Sequence, residues 1–235
     1  MTDSLHDLAP STSPRSDVVR RAELTRRDRD AMFALYTSYF ATTDRISFER
    51  DLAEKDWVVL LCDGDGNIDG FSTLMRMRVG NATVFFSGDT IVARHRWATF
   101  DLPRLWSRHV FAEADENTYW FLISSGYRTY RCLPVFFRDF VPRPGGNAAM
   151  KPLLDEIATA KFGDAYDPRT GVIRLATPAP LREGVSDPGL RLKNPHVRFF
   201  VEANPGHADG DELACLVRIA VDNVTPAGLR MIGRR

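Results

Sequence analysis

Residues 82–114 read ATVFFSGDTIVARHRWATFDLPRLWSRHVFAEA: a strand, a basic loop and a helix in succession. Apolar and β-branched residues dominate 82–93. The period then turns helical, with Leu102, Leu105, Trp106, Val110 and Phe111 forming one stripe over 99–114. Between them Arg94, His95 and Arg96 approach the start of the helix, where free backbone N–H groups and the helix dipole favour an anion. That arrangement points to a phosphorylated carrier. Within the strand, Ser87-Gly88-Asp89-Thr90 interrupts the apolar run, and a glycine so placed marks a bulge or a close backbone approach.

Upstream, VVRRAEL at 18–24 reads as a short strand. A helix over about 26–40 follows, capped by Thr25, with Met32, Phe33, Leu35, Tyr36 and Phe40 mostly on one face; a second helix over about 47–55 takes Ser47 as its cap. DWVVLLCD at 56–63, GFSTLMRMRV at 70–79 and the strand at 82–93 make a three-stranded meander. The turn DGDGNIDG is shorter than an EF-hand loop and lacks its closing Glu, so it reads as a hairpin turn. Downstream come a strand at 118–125 and a helix at about 127–140 that Pro134 kinks or divides. A linker, a short helix at about 152–161 and a loop-rich stretch to 194 lead to two closing strands, 196–203 and 212–221. The fold class is α+β, a mixed α/β arrangement in which helices flank a mostly antiparallel twisted sheet of about seven strands. It forms one domain over 18–235 with an insertion at about 144–195, behind a polar, flexible leader at 1–17.

Composition narrows the function. Lys+Arg and Asp+Glu are equal at 31 each, so no global field draws the chain to nucleic acid or to an acidic membrane. No apolar run is long enough to span a bilayer. Cys62, Cys132 and Cys215 lie far apart with no CxxC pair, which fits reduced thiols in a cytoplasmic protein and gives no zinc framework; no metal is expected. Nucleophile-elbow, Walker A, zincin and dinucleotide motifs are absent.

The element order resembles that of the GNAT acyltransferase superfamily over roughly 18–140 and 196–221. The resemblance implies transfer of an acyl group from acyl-CoA, or from the acyl-phosphopantetheine of an acyl carrier protein, to a small-molecule amine acceptor. In that family a loop of the form R/Q-x-x-G-x-G/A after the fourth strand holds the carrier pyrophosphate on its amides. Here ARHRWATF stands in its place, without either glycine. By resemblance Arg94, Arg96, Trp97, Ala98 and Thr99 form the phosphate cradle, and Ile91, Val92 and Ser124 border the pantetheine arm. Ser87 lies beside the acceptor. Asp89 is a general base or an acceptor-binding carboxylate; read on its own, it equally caps a turn or pairs with an arginine. Tyr130, with Tyr127 as a spare, is expected to protonate the departing thiolate. The aromatic cluster Tyr119, Trp120, Phe121, Phe136, Phe137 and Phe140 is a core stripe or the lining of an acyl pocket.

Read as a strand, 196–203 puts His196, Arg198 and Glu202 on one side. That side forms an acceptor site, Arg198 binding a carboxylate and His196 or Glu202 acting on the amine. The missing glycines also leave room for a different reading, a GNAT-like domain that has lost catalysis and binds a ligand or a protein. Closing strands of this kind can pair between chains, which makes a homodimer an expectation.

Overall fold

In the computed structural model, eight strands among the described residues form one sheet in the order β1-β2-β3-β4-β5-β8-β7-β6. The structure describes residues 16–97, 99–146 and 149–233, with Leu190 for its backbone alone. β1 (Asp17–Arg20), β2 (Trp57–Cys62), β3 (Ile68–Val79) and β4 (Ala82–Val92) are mutually antiparallel. β5 (Thr118–Ser124) is parallel to β4, and β8 (Glu212–Arg218) is antiparallel to β5. The short hairpin β6 (Tyr166–Asp167) and β7 (Val172–Ile173) continues the sheet beyond β8. Of the leader expected at 1–17, residues 1–15 lie outside the described residues, while Ser16 Oγ accepts from Cys62 N–H at 2.9 Å and Asp17 opens β1.

Strand alternation sorts the core into two faces. Val58 and Leu60 of β2 point to one, Val59 and Leu61 to the other. The first face carries α1 (Arg26–Tyr39), α2 (Arg45–Ala53) and α6 (Lys151–Phe162). The second carries α3 (Asp101–Ala112), α4 (Tyr127–Tyr130), α5 (Cys132–Phe136), α7 (Pro195–Ala203) and α8 (Pro226–Met231). Thr25 caps α1 as the sequence suggests, in a reciprocal box with Asp28. The run of strand, two helices, three antiparallel strands, helix and parallel strand is the order implied by the resemblance.

Several elements depart from the sequence reading, among them α8, which it did not contain. α2 begins at Arg45 because the Asp44 carboxylate accepts from Ile46 N–H at 2.8 Å and Ser47 N–H at 3.1 Å, so Asp44 and not Ser47 is the cap. The helix expected to 140 divides at Arg131 and ends at Phe136. Residues 196–203 are helix, not strand. Pro195 takes the first helical position, Asn194 caps with its side chain, and Val197 and Phe200, three apart, are the buried pair. The insertion supplies β6 and β7 in place of that closing strand, and the mostly antiparallel sheet expected with about seven strands has eight among the described residues.

The outer edge of β8 is covered from within the chain. β7 pairs with its first two residues, and Val141 and Leu216 exchange backbone hydrogen bonds of 2.9 and 2.7 Å. The insertion also clasps the end of α1: Ala41 N–H donates to Pro180 at 2.8 Å, and Arg182 N–H to Tyr39 at 2.8 Å. No helix among the described residues is long and apolar enough to cross a membrane.

Candidate active site

β4 and β5 pair only as far as Ser87 and Leu122. Beyond that point β5 leans to β8, and β4 runs on for five residues with no strand on its β5 side among the described residues. On the other side, Ser72 faces Thr90 but Leu74 faces Ser87, so β4 carries one extra residue at Gly88-Asp89. This is the bulge the sequence suggests. Glycine lets the neighbouring side chains close in here: a Cβ at Gly88 would lie 3.0 Å from Thr73 Oγ1 and 3.1 Å from Lys55 Cε, so these would have to give by a few tenths of an ångström.

A cleft of about 860 Å³ passes through the sheet at this split. On the α3 face its walls are apolar and aromatic, with Leu102, Trp106, Trp120, Phe136 and Met231. The Trp106 and Trp120 ring centres are 4.3 Å apart, and Trp120 Nε1–H donates to Ser87 Oγ at 2.9 Å. On the α1 and α2 face the lining is polar: Asp51 and Glu54 from α2, Asp89 from the bulge, Glu212 from the start of β8, and Tyr36 from α1. The insertion contributes Leu175, Leu181 and Ser186 to the rim.

Asp89 and Glu212 stand on opposite arms of the split. Ser125 Oγ–H donates to Glu212 Oε1 at 2.6 Å, while Glu212 Oε2 is shut off from solvent without a partner. Burial pushes the Glu212 carboxyl up to about 7; the Ser125 bond opposes this and the Asp51 charge reinforces it. The Asp89 carboxyl is raised well above the ordinary range, chiefly by burial, then by Asp51, against the pull of Lys55, with Glu212 adding to the rise. Lys55 is fully buried, its Nζ 2.7 Å from Asp51 Oδ1 and 5.4 Å from the centre of the Phe86 ring. Burial, then Asp89, Glu212 and Asp51, keep the Tyr36 hydroxyl protonated; its ring stacks on Phe40 at 4.7 Å.

The sequence-based site is only partly assembled. Ser87, Asp89, Ile91, Val92, Arg96, Trp97 and Thr99 line the cleft. Ala98 lies outside the described residues. The cradle differs from expectation because the loop at 94–96 is a 3₁₀ turn and several amides of 93–99 are bonded within the chain. The Ala93 N–H donates to the Asp69 carbonyl, Arg96 N–H to Ala93, Trp97 N–H to Arg94 and Thr99 N–H to Arg96. The Arg96 guanidinium is held by Asp69 at 3.0 Å, by the Cys62 carbonyl at 3.1 Å and by Asp101 at 3.4 Å, and the exposed Arg94 lies over the Trp97 ring. The anion at this helix start is therefore the chain's own Asp101.

Six expected positions are not in the cleft lining: Arg94 of the loop, and five more. Tyr130 is fully buried, donates its hydroxyl to the Pro142 carbonyl at 3.0 Å and stacks on Phe199, so its proton is committed to the core. Ser124 points to the other face of β5, buried against Cys215, and its neighbour Ser125 holds the position at the mouth. His196, Arg198 and Glu202 ride on α7, none of them in the cleft lining; Arg198 and Glu202 are exposed, and His196 lies against Phe140 with its imidazole pKa lowered by burial and then by Arg143 and Arg131. Helical geometry, not strand alternation, separates this trio from the sheet. Sequence reading passed over Glu212, Asp51, Lys55 and Tyr36 as site residues. For Glu212 a signal existed: a carboxylate opening the apolar run ELACLV, on the same face as Ala214 and Leu216. Among the described residues no three His, Cys, Asp or Glu side chains are grouped to hold a metal ion.

No protein-family model matches the chain, and no curated protein matches it. Among solved structures, the chain is similar to one described as a histone acetyltransferase HPA2 and related acetyltransferase from Corynebacterium glutamicum ATCC 13032. Identity is 13%, with 56% of this chain and 91% of that one covered and a TM-score of 0.37. It is also similar to a conserved protein of unknown function, a probable N-acyltransferase, from Enterococcus faecalis V583. There identity is 12%, the coverage is 52% of this chain, and the TM-score is 0.35; the match spans about a third of that protein, 32%.

Proposed function

We propose that this chain transfers an acyl group from a pantetheine thioester to an amine by direct attack, without an acyl-enzyme. The observation that carries the reading is the cleft through the split between β4 and β5, apolar on one side and lined by raised carboxyls on the other. A thioester laid along the unpaired edge of 88–92 would present its carbonyl to strand backbone, where N–H groups stabilise the oxyanion that develops. Glu212, with a carboxyl pKa near the working pH, is suited to take the proton of the attacking amine, with Asp89 beside it. Tyr36, kept protonated at the same mouth, is the hydroxyl available to the leaving thiolate in place of Tyr130.

The donor is acyl-CoA or an acylated carrier protein. The internally bonded loop amides favour the carrier protein, whose pantetheine arm brings no adenosine diphosphate, and exposed Arg94, Arg104 and Arg108 suit an acidic protein surface. The same internally bonded amides support the second reading, a domain that binds a ligand in the cleft and no longer catalyses. Thermal-shift titration with acyl-CoA, free CoA and an acyl-pantetheine separates these, because a ligand of the folded state raises the midpoint by mass action. Binding of a thioester followed by amine-dependent thiol release supports the transferase; binding without release supports the ligand-binding domain; no shift with any thioester in a cooperatively melting protein refutes the transferase.

A further inference from the structure

The apolar limb of the cleft, on the α3 face, takes no part in the proton transfers proposed for the polar limb. Leu102 and Trp106 of α3, Trp120 of β5, Phe136 of α5 and Met231 of α8 line it. These side chains carry no oxygen, and their N–H groups are the two indoles: that of Trp120 is spent on Ser87 Oγ, and that of Trp106 is buried without a partner among the described residues. Such a wall favours hydrocarbon over water. Of the aromatic cluster singled out in the sequence, Trp120 and Phe136 reach the cleft, whereas Tyr119, Phe121, Phe137 and Phe140 do not line it. One wall is α8, which lies outside the stretches whose element order resembles the acyltransferases. It is fixed to both neighbours: Ser107 Oγ of α3 is 3.3 Å from the Met231 carbonyl oxygen, and Thr225 N–H donates to the Phe136 carbonyl of α5 at 2.9 Å.

Resting on the transferase reading for the place of the thioester, we infer that the transferred acyl group is an alkyl chain longer than acetyl, laid in the apolar limb against Trp106, Trp120 and Phe136, and that α8 limits its length through Met231. The pantetheine arm is ill suited to this limb. Its amides and hydroxyl need hydrogen-bond partners, which the strand edge at 88–92 offers and the aromatic wall does not, and burying them unpaired is costly. The polar limb, with Asp51, Glu54, Asp89 and Glu212 around it, disfavours hydrocarbon. With the thioester at the split, the chain therefore runs into the α3 face and the polar limb stays open to the acceptor. Met231 is a specificity-determining residue in this arrangement and takes no part in the chemistry.

The test is isothermal titration, with no amine present, of the full chain with S-acyl-pantetheines from acetyl to dodecanoyl, kept below their micelle concentrations. Each methylene buried in the limb should tighten binding about fourfold, at one-to-one stoichiometry, until the chain meets α8 and the gain stops. Met231→Ala should move that stop to a longer chain and Met231→Phe to a shorter one, each checked for cooperative melting; if neither folds, the wild-type series decides alone. An affinity independent of chain length, a loss on lengthening beyond acetyl, or uptake that does not saturate at one site overturns the inference. So does a stop that stays in place in both folded variants. Thiol release on adding an amine is read separately. Turnover of acetyl-pantetheine with no dependence of binding on chain length removes the inference and leaves the transferase; a chain-length series without thiol release from any thioester leaves the alkyl-binding limb and removes the transferase.

Discussion

Replacing Glu212 by Gln removes a buried negative charge while keeping the shape of the side chain and an oxygen to accept from Ser125 Oγ. In the folded protein the Glu212 carboxyl titrates at about 7, against an ordinary value of 4.5, with burial as the main cause. Between those two pH values the folded chain holds a proton that the unfolded chain has given up, so stability falls as pH rises through that window and levels off above it. A tenfold change in proton affinity is about 1.4 kcal/mol, so the displacement costs the folded wild type about 3 kcal/mol at pH 8. Gln does not titrate. Glu212→Gln should therefore match the wild type in stability near pH 4.5 and exceed it by about 3 kcal/mol at pH 8, a rise of roughly 6–12 °C in Tm for a chain of this size. Asp89 acts in the same direction, because losing the Glu212 charge removes one of the repulsions that raise its own pKa. Urea unfolding followed by tryptophan fluorescence in a pH series measures the gap. A gap that is constant with pH, or a wild type more stable at pH 8, would refute both the burial and the proton linkage of Glu212.

Tyr130→Phe should lose the hydrogen bond to Pro142 and about 1 kcal/mol of stability, with thioester affinity and turnover unchanged. A large fall in kcat at unaltered stability would return Tyr130 to the chemistry. Gly228→Ala places a Cβ 2.3 Å from the Phe136 carbonyl oxygen and 2.8 Å from Val224 Cβ, so α8 must move off α5. Denaturant midpoints should show a loss of about 2 kcal/mol or more, where helix propensity alone would have predicted a gain.

What could be read from the sequence is what short-range pattern determines. The meander, the bulge at Gly88 and the Thr25 cap each rest on contacts between near neighbours or on strict alternation, and each is found. The segment 196–203 deceived because HVRFFVEA is rich in β-branched and aromatic residues, while Asn194 and Pro195, the helix signal, precede it. Tyr130 and Ser124 failed through orientation: each is on the expected element, but its side chain faces the core, and a one-residue change of side puts Ser125 at the mouth instead. Asp89 and Glu212 line one cleft from positions 123 residues apart, on strands separated by β5, and Lys55 reaches the bulge from the end of α2; no local pattern encodes such meetings. The loop at 94–99 was recognisable as basic, yet the carboxylates that neutralise it come from Asp69 and Asp101 on either side.

The insertion covers the outer edge of β8 and also forms part of the rim of the cleft. Those two duties tie molecular recognition to colloidal behaviour. A lineage that exchanged one cleft ligand for another by lengthening or trimming 174–186 would also disturb the hairpin that shields the edge, exposing strand backbone to other copies of the chain. Variants selected for new specificity in this segment should thus be screened for self-association alongside activity, and substitutions that keep its length offer the freer route to change.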